Sequence, residues 1–185
     1  MKHMVSLLLF LSLFSSGPCR AQETPGHTIV LDEKGQPSSL QEVISPGPTL
    51  IIFWRLDSKP SREAVVHVYQ NLARIQGKGI RPVAIATSPQ RAAADFLRSQ
   101  GIRMDSFYDP GGKVAATYEL GYVYPSLLLL DENLRVQGQA EGGGASFDTH
   151  LSRLLERSGN SDHRPNWILG GALIVIAALT FALSR

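Results

Sequence analysis

The chain has 185 residues, of which 43% are hydrophobic and 18% charged, with a formal net charge of +2 and one cysteine; this allows one globular domain plus whatever the two ends contribute. Setting aside Lys2 and Arg20 with the first 21 residues brings the net charge to zero. No basic stripe and no lysine run interleaved with aromatics is present, which excludes nucleic acid as a partner.

Met1 to Ala21 opens on Lys2 and His3, continues as an apolar run from Val5 to Phe14, and closes on Ser15-Ser16-Gly17-Pro18 before Cys19-Arg20-Ala21. Basic start, apolar middle and small-residue end follow the order of a secretory signal peptide, cut between Ala21 and Gln22. The apolar run is about ten residues, short of the ~20 that span a bilayer, which disfavours an uncleaved anchor. A second alternative keeps Cys19 as a lipidated first residue. Pro18 and Ser16 stand where that pattern wants a small residue and a leucine. Cleavage after Ala21 removes the sole cysteine, and thiol nucleophiles, disulfides and thiolate metal sites go with it.

Residues 22–157 form the expected domain. His27 to Leu31 reads as a short alternating strand turning at Asp32-Glu33-Lys34-Gly35, followed by a polar stretch and a short helix around Leu40 to Ile44. Thr49 to Trp54 is a continuous apolar run rich in β-branched residues, as in a strand buried on both faces. Val65, Val68, Leu72 and Ile75 recur at helical spacing up to Gly77, so their stripe faces a core. Val83 to Ala86 is a second buried strand. Ser88-Pro89 supplies an N-cap and a first-turn proline for a helix to Gly101. Asp109-Pro110 starts a short helix through Tyr118. Ser126 to Leu130 is a third apolar strand, with Leu134 to Gln139 its hairpin partner across Asp131-Glu132-Asn133. Phe147, Leu151, Leu154 and Leu155 mark a final helix. This order predicts an α/β fold, a mixed sheet flanked by helices.

The expected linker, residues 158–166, is polar. The segment 167–184 is apolar and uncharged, with Trp167 at one end and Arg185 beyond the other; it reads as a transmembrane helix. With the signal cleaved, the domain faces the periplasmic or extracellular side of a cell membrane crossed once.

Ile51 to Ser61, then Asp109 to Ala115, Tyr118, Gly121, Tyr124-Pro125-Ser126, Leu129-Leu130-Asp131 and Gly138 to Gly142 resemble, in order and spacing, the thioredoxin-like redoxin family. The resemblance runs from Thr24 to Arg157 and is nearest to exported, membrane-tethered thiol-disulfide reductases. It implies a Trp-Cys-x-x-Cys loop after the first long strand. Here Asp57 stands in the tryptophan's place and Ser58-Lys59-Pro60-Ser61 in that of the cysteine pair. A helix N-terminus lowers a thiol pKa, but a serine hydroxyl gains little from it and oxygen forms no mixed disulfide. No catalytic residue is therefore assigned; Ser58 and Ser61 are expected as helix caps.

Serine hydrolysis needs a histidine base, and His67 stands more than two helical turns from Ser58. The histidines have no metal-ligand spacing, and Gly142-Gly143-Gly144 lacks a following Gly-Lys-Ser/Thr and reads as a flexible loop. The reading calls for no cofactor and no metal. What the resemblance leaves is a binding ledge: the residue before a cis-proline offers its backbone to an extended peptide, and Tyr124-Pro125 matches that position. Trp54, Asp57, Ser58, Tyr124 and Pro125 are the candidate binding residues, with packing at the domain edge the alternative for Trp54 and Tyr124. The expected function is a membrane-anchored binding or assembly module for a segment of an envelope or exported protein. The alternative is a thiol-disulfide oxidoreductase or peroxide-reducing enzyme that uses Cys19 or a partner's thiol.

Overall fold

The computed structural model describes residues 25–44, 47–121 and 123–159. The expected signal segment with Cys19 and the apolar segment 167–184 lie outside them. Among the described residues no helix is long and apolar enough to cross a membrane.

Strand β1 (Ile29–Leu31) pairs antiparallel with β2 (Pro37–Ser39). Asp32 fixes their turn: its Oδ1 accepts the Lys34 and Gln36 backbone N–H groups, each at 2.8 Å. Helix α1 (Leu40–Ile44) starts in a reciprocal cap. The Ser39 N–H donates to Glu42 Oε2 at 2.9 Å, and the Glu42 N–H donates to Ser39 Oγ at 3.3 Å, so two end donors are satisfied together.

Strand β3 (Thr49–Trp54), buried at all six positions, leads into α2 (Lys59–Gln70) and α3 (Leu72–Gln76). The single helix expected here breaks at Asn71, whose Nδ2 donates to the His67 carbonyl at 3.0 Å. Then come β4 (Arg81–Ala86), α4 (Gln90–Ser99), β5 (Asp105–Tyr108), α5 (Lys113–Thr117), β6 (Ser126–Leu130), β7 (Val136–Glu141) and α6 (Phe147–Gly159). The last helix runs past the boundary expected at Arg157 and takes in the first two linker residues.

The strands form one mixed sheet in the order β2-β1-β5-β4-β3-β6-β7. Strands β3, β4 and β5 are parallel to one another, while β6 runs antiparallel to β3 and β7 to β6. Because strand side chains alternate, β3 divides the core. Leu50, Ile52 and Trp54 face α2, α3, α4 and α6; Ile51 and Phe53 face α1 and α5. A sheet covered on both sides explains why β3 and β6 read as unbroken apolar runs.

Three expectations are corrected. Strand β2 lies in the stretch expected to be merely polar, and β5, for which no element was expected, pairs Asp105 to Tyr108 in parallel with Val83 to Ala86. The short helix expected from Asp109-Pro110 through Tyr118 spans only Lys113–Thr117. It begins after Asp109, a buried carboxylate that accepts the Lys113 and Val114 N–H groups at 3.0 and 2.8 Å. Ser88 does not cap α4; that position is Pro89, and no side-chain capping bond is made there.

Candidate functional site

The loop between β3 and α2 is held from three directions. Thr87 N–H donates to the Trp54 carbonyl at 3.1 Å, and Leu56 N–H donates to Ser88 Oγ at 2.7 Å. From the helix side, Arg62 Nη1 donates to the Leu56 carbonyl at 2.5 Å. Ser88 is thus a support for this loop. A seryl-prolyl pair before a helix gave the sequence no means of telling this role from a cap.

Ser58 is the N-cap of α2, with extended φ and ψ of −100° and 115°, and its Oγ accepts the Ser61 N–H at 3.4 Å. Pro60 occupies the first turn, where a missing N–H costs nothing. The second expected cap is not one. Ser61 is fully buried and its Oγ has no hydrogen-bond partner among the described residues.

Arg55 and Asp57 form a two-point ion pair, Nε to Oδ1 at 3.0 Å and Nη2 to Oδ2 at 2.5 Å. The Arg55 hydrogen bond holds the Asp57 carboxyl below its ordinary range, and the same bond raises the Arg55 pKa. The guanidinium Cζ also lies 5.9 Å from the centre of the Tyr124 ring, within the range of a cation–π contact. This side chain therefore joins the β3–α2 loop to the segment before β6.

The Tyr124-Pro125 peptide bond is cis, as the resemblance implied. Pro125 is buried and Tyr124 half-buried. The Pro125 carbonyl accepts the Gly142 N–H at 2.8 Å, whereas Tyr124 makes no backbone hydrogen bond among the described residues. Beside it the Ser126 hydroxyl donates to the Val123 carbonyl. Gly143 completes the surface. A Cβ there would meet Pro60 Cβ at 2.9 Å and Pro125 Cδ and Cγ at 3.3 Å. Within the glycine run expected to be a flexible loop, Gly143 is wedged between the two prolines, while Gly142 and Gly144 have open space beside them.

Trp54 is corrected. It lies on the same face of β3 as Leu50 and Ile52, is fully buried, and packs its ring 5.6 Å from Phe96 at an interplanar angle of 43°. It presents nothing to a partner. The accessible ledge is made by Arg55, Asp57, Ser58, Lys59 and Pro60 on one side and by Val123 and Tyr124 on the other. Val123, which the sequence gave no reason to single out, is 48% exposed.

His67 has a carboxylate beside it that sequence spacing did not reveal. Its Nε2 lies 3.2 Å from Asp148 Oδ1, and its ring meets Phe147 edge-on at 5.7 Å. These residues line a cavity of about 340 Å³ between α2 and the start of α6. His67 remains nine residues along α2 from Ser58, roughly 13 Å at the helical rise. The pair does not activate that hydroxyl. Among the described residues no group of three or more histidine, cysteine or acidic side chains is placed to hold a metal.

Residues 18–139 match the AhpC/TSA family. The chain belongs to the AhpC/TSA family. No curated protein matches it, but solved structures do. Peroxidoxin BcpB from Mycobacterium tuberculosis is 21% identical with a TM-score of 0.60, over 71% of this chain and 90% of that one. A putative thiol:disulfide interchange protein DsbE from Chlorobium tepidum is 20% identical with a TM-score of 0.61, over 72% and 93%. The bacterioferritin comigratory protein of Xanthomonas campestris, described for alkyl peroxide reduction, is 13% identical with a TM-score of 0.61, over 72% and 94%. At these identities the likeness establishes a thioredoxin-like fold. In this AhpC/TSA chain, the loop that begins α2 carries hydroxyl groups at Ser58 and Ser61, and the one cysteine of the sequence is Cys19.

Proposed function

We propose that this AhpC/TSA chain is a membrane-anchored, outward-facing binding module that holds an extended segment of an envelope or exported protein on the ledge between Ser58 and Tyr124. The observation that carries the reading is the pair of serines in an otherwise well-formed loop. Ser58 caps α2 and Ser61 is buried, and neither oxygen can take up or release a disulfide. The backbone of Tyr124, unpaired among the described residues, supplies a donor and an acceptor at the ledge. An extended partner adds its own main-chain hydrogen bonds there, each worth roughly 0.5 to 1.5 kcal/mol. The apolar segment 167–184 supports the anchoring, and the signal-like first 21 residues support the orientation.

The test is to supply the full-length chain with a dithiol donor and a disulfide substrate. Turnover no faster than the protein-free blank is expected. A second reading, an enzyme working through Cys19, draws on the family match, which begins at residue 18 and so includes that cysteine. Activity in the native chain that disappears in Cys19→Ser selects the second reading, and activity that survives in Cys19→Ser overturns both. Intact-mass measurement shows whether the mature chain starts at Gln22 or keeps Cys19.

A further inference from the structure

We infer that Arg55 selects the charge of the bound segment, and that this segment presents an acidic side chain to it. The inference rests on the ledge reading above and names the chemistry of its partner.

A guanidinium has five N–H donors in a fixed plane. Asp57 engages Arg55 through Nε and Nη2 only. The Nη1 group has no hydrogen-bond partner among the described residues, so one edge of the fork stays open to a second carboxylate. The Asp57 fork and the Tyr124 ring, 5.9 Å away, hold this long side chain in place before any partner arrives. That lowers the ordering cost of binding, which is usually the penalty of a surface arginine.

The surrounding charge favours an anion. Between residues 55 and 63 the chain has three cations, Arg55, Lys59 and Arg62, against Asp57 and Glu63. Glu63 lies 3.6 Å from Lys59, while Arg62 donates to the Leu56 carbonyl and its charge also acts on Asp57. The N-terminal end of α2, twelve residues long, adds its partial positive charge to the same edge. Opposite, residues 123–125 and 142–146 contain no charged side chain. With Asp57 and Glu63 set against Arg55 and Lys59, the third cation, Arg62, and the helix end leave a net positive edge that favours a carboxylate over an ammonium group. Exposed Val123 and Pro60 flank the position and accommodate apolar neighbours of the acidic residue.

The experiment uses an array of blocked, extended peptides probed with the full-length chain and with its Arg55→Gln and Arg55→Lys forms. The captured peptides should be enriched in Asp and Glu, and the enrichment should vanish in Arg55→Gln. Changing the acidic residue of a captured peptide to its amide should weaken native binding about tenfold, the size of one charge-assisted pair. Arg55→Lys should keep the preference in weakened form. Capture without acidic preference, or a preference that Arg55→Gln leaves intact, overturns the role of Arg55 while leaving the ledge in place. Capture of no peptide by the native chain overturns the ledge reading and this one together. Should Arg55→Gln fail to fold, the acid-to-amide comparison on the native chain decides the matter alone.

Discussion

Gly143 approaches Pro60 so closely that a methyl group on the glycine would stand 2.9 Å from the proline Cβ. The contact lies inside the ledge, with Pro125 as its third member. A proline ring cannot swing aside as the end of a long side chain can, so Gly143→Ala must displace either the first turn of α2 or the 142–144 loop. We expect a loss of about 1 to 3 kcal/mol, as for other forced insertions into packed sites, read as a lower urea midpoint. Gly111→Ala is the control, since its Cβ meets nothing closer than 3.7 Å. Equal midpoints for the two variants would show that the wedge is not tight.

The two serines should respond in opposite ways. Ser58→Ala removes the acceptor for the Ser61 N–H and should cost about 1 kcal/mol, the usual value of an N-cap. Ser61→Ala removes a buried hydroxyl that has no hydrogen-bond partner among the described residues. It should be neutral or stabilising, because no bond is lost and a desolvation penalty is relieved. Urea unfolding separates them, and a costlier Ser61→Ala would mean that the hydroxyl has an unseen partner.

In a Cys19→Ser background, Ser58→Cys with Ser61→Cys tests whether the loop retains the electrostatics of a thiol site. The first turn of α2 should hold the thiol at position 58 below the ordinary value of about 8.5. Thiolate absorbance against pH gives the midpoint. A midpoint at or above that value would show that the helix end no longer favours an anion, which would also weaken the case for Arg55.

The Arg55–Asp57 pair predicts a pH response of definite sign. The hydrogen bond from Arg55 places the Asp57 carboxyl below 3.8. A carboxyl whose folded pKa is depressed contributes stability above its unfolded pKa and loses that contribution as pH falls through the folded one. The pair should therefore open at a lower pH than that at which an unpaired aspartate takes up its proton. A carboxyl-carbon NMR titration should place the Asp57 midpoint below 3.8 in the native chain, and Arg55→Gln should return it to about 3.9.

At the alkaline end the sign reverses. Burial pushes both Tyr108 and Tyr118 up to about 12 from an ordinary 10.0. Their contribution is complete below pH 10 and declines as pH rises towards 12, because the unfolded chain releases these protons first. Near-ultraviolet phenolate absorbance should show two late ionisations. Tyr108→Phe and Tyr118→Phe should each remove one of them, and an unchanged late phase in either variant would contradict its assignment.

The fold was legible where burial on both faces forces a continuous apolar run, as in Thr49 to Trp54 and Ser126 to Leu130. It was illegible in β5, where Asp105 and Ser106 look like loop residues and are made into strand only by the neighbouring backbone of β4. The site was half legible. The serine pair, the cap at Ser58 and the cis bond before Pro125 could be read from local order. Burial of Trp54 could not, because the side of β3 on which α4 packs is set by tertiary arrangement. The roles of Ser88 and Gly143 were misassigned for a related reason: each contributes through a residue distant in sequence, Leu56 for one and Pro60 for the other.

The strand order has a consequence for a chain made from its N-terminus. Strand β3 meets β4 early, but its other edge waits for β6, whose register joins Thr49 to Leu130 and Phe53 to Ser126. Until those residues emerge, the six residues of β3, five of them apolar, present an unpaired edge, the kind of surface on which nascent chains adhere to one another. Such long-range pairing is also slow to form. A holding factor that grips extended apolar strands would be most needed in the interval after β4 has formed and before β6 is complete, and least needed once β7 has covered the far side.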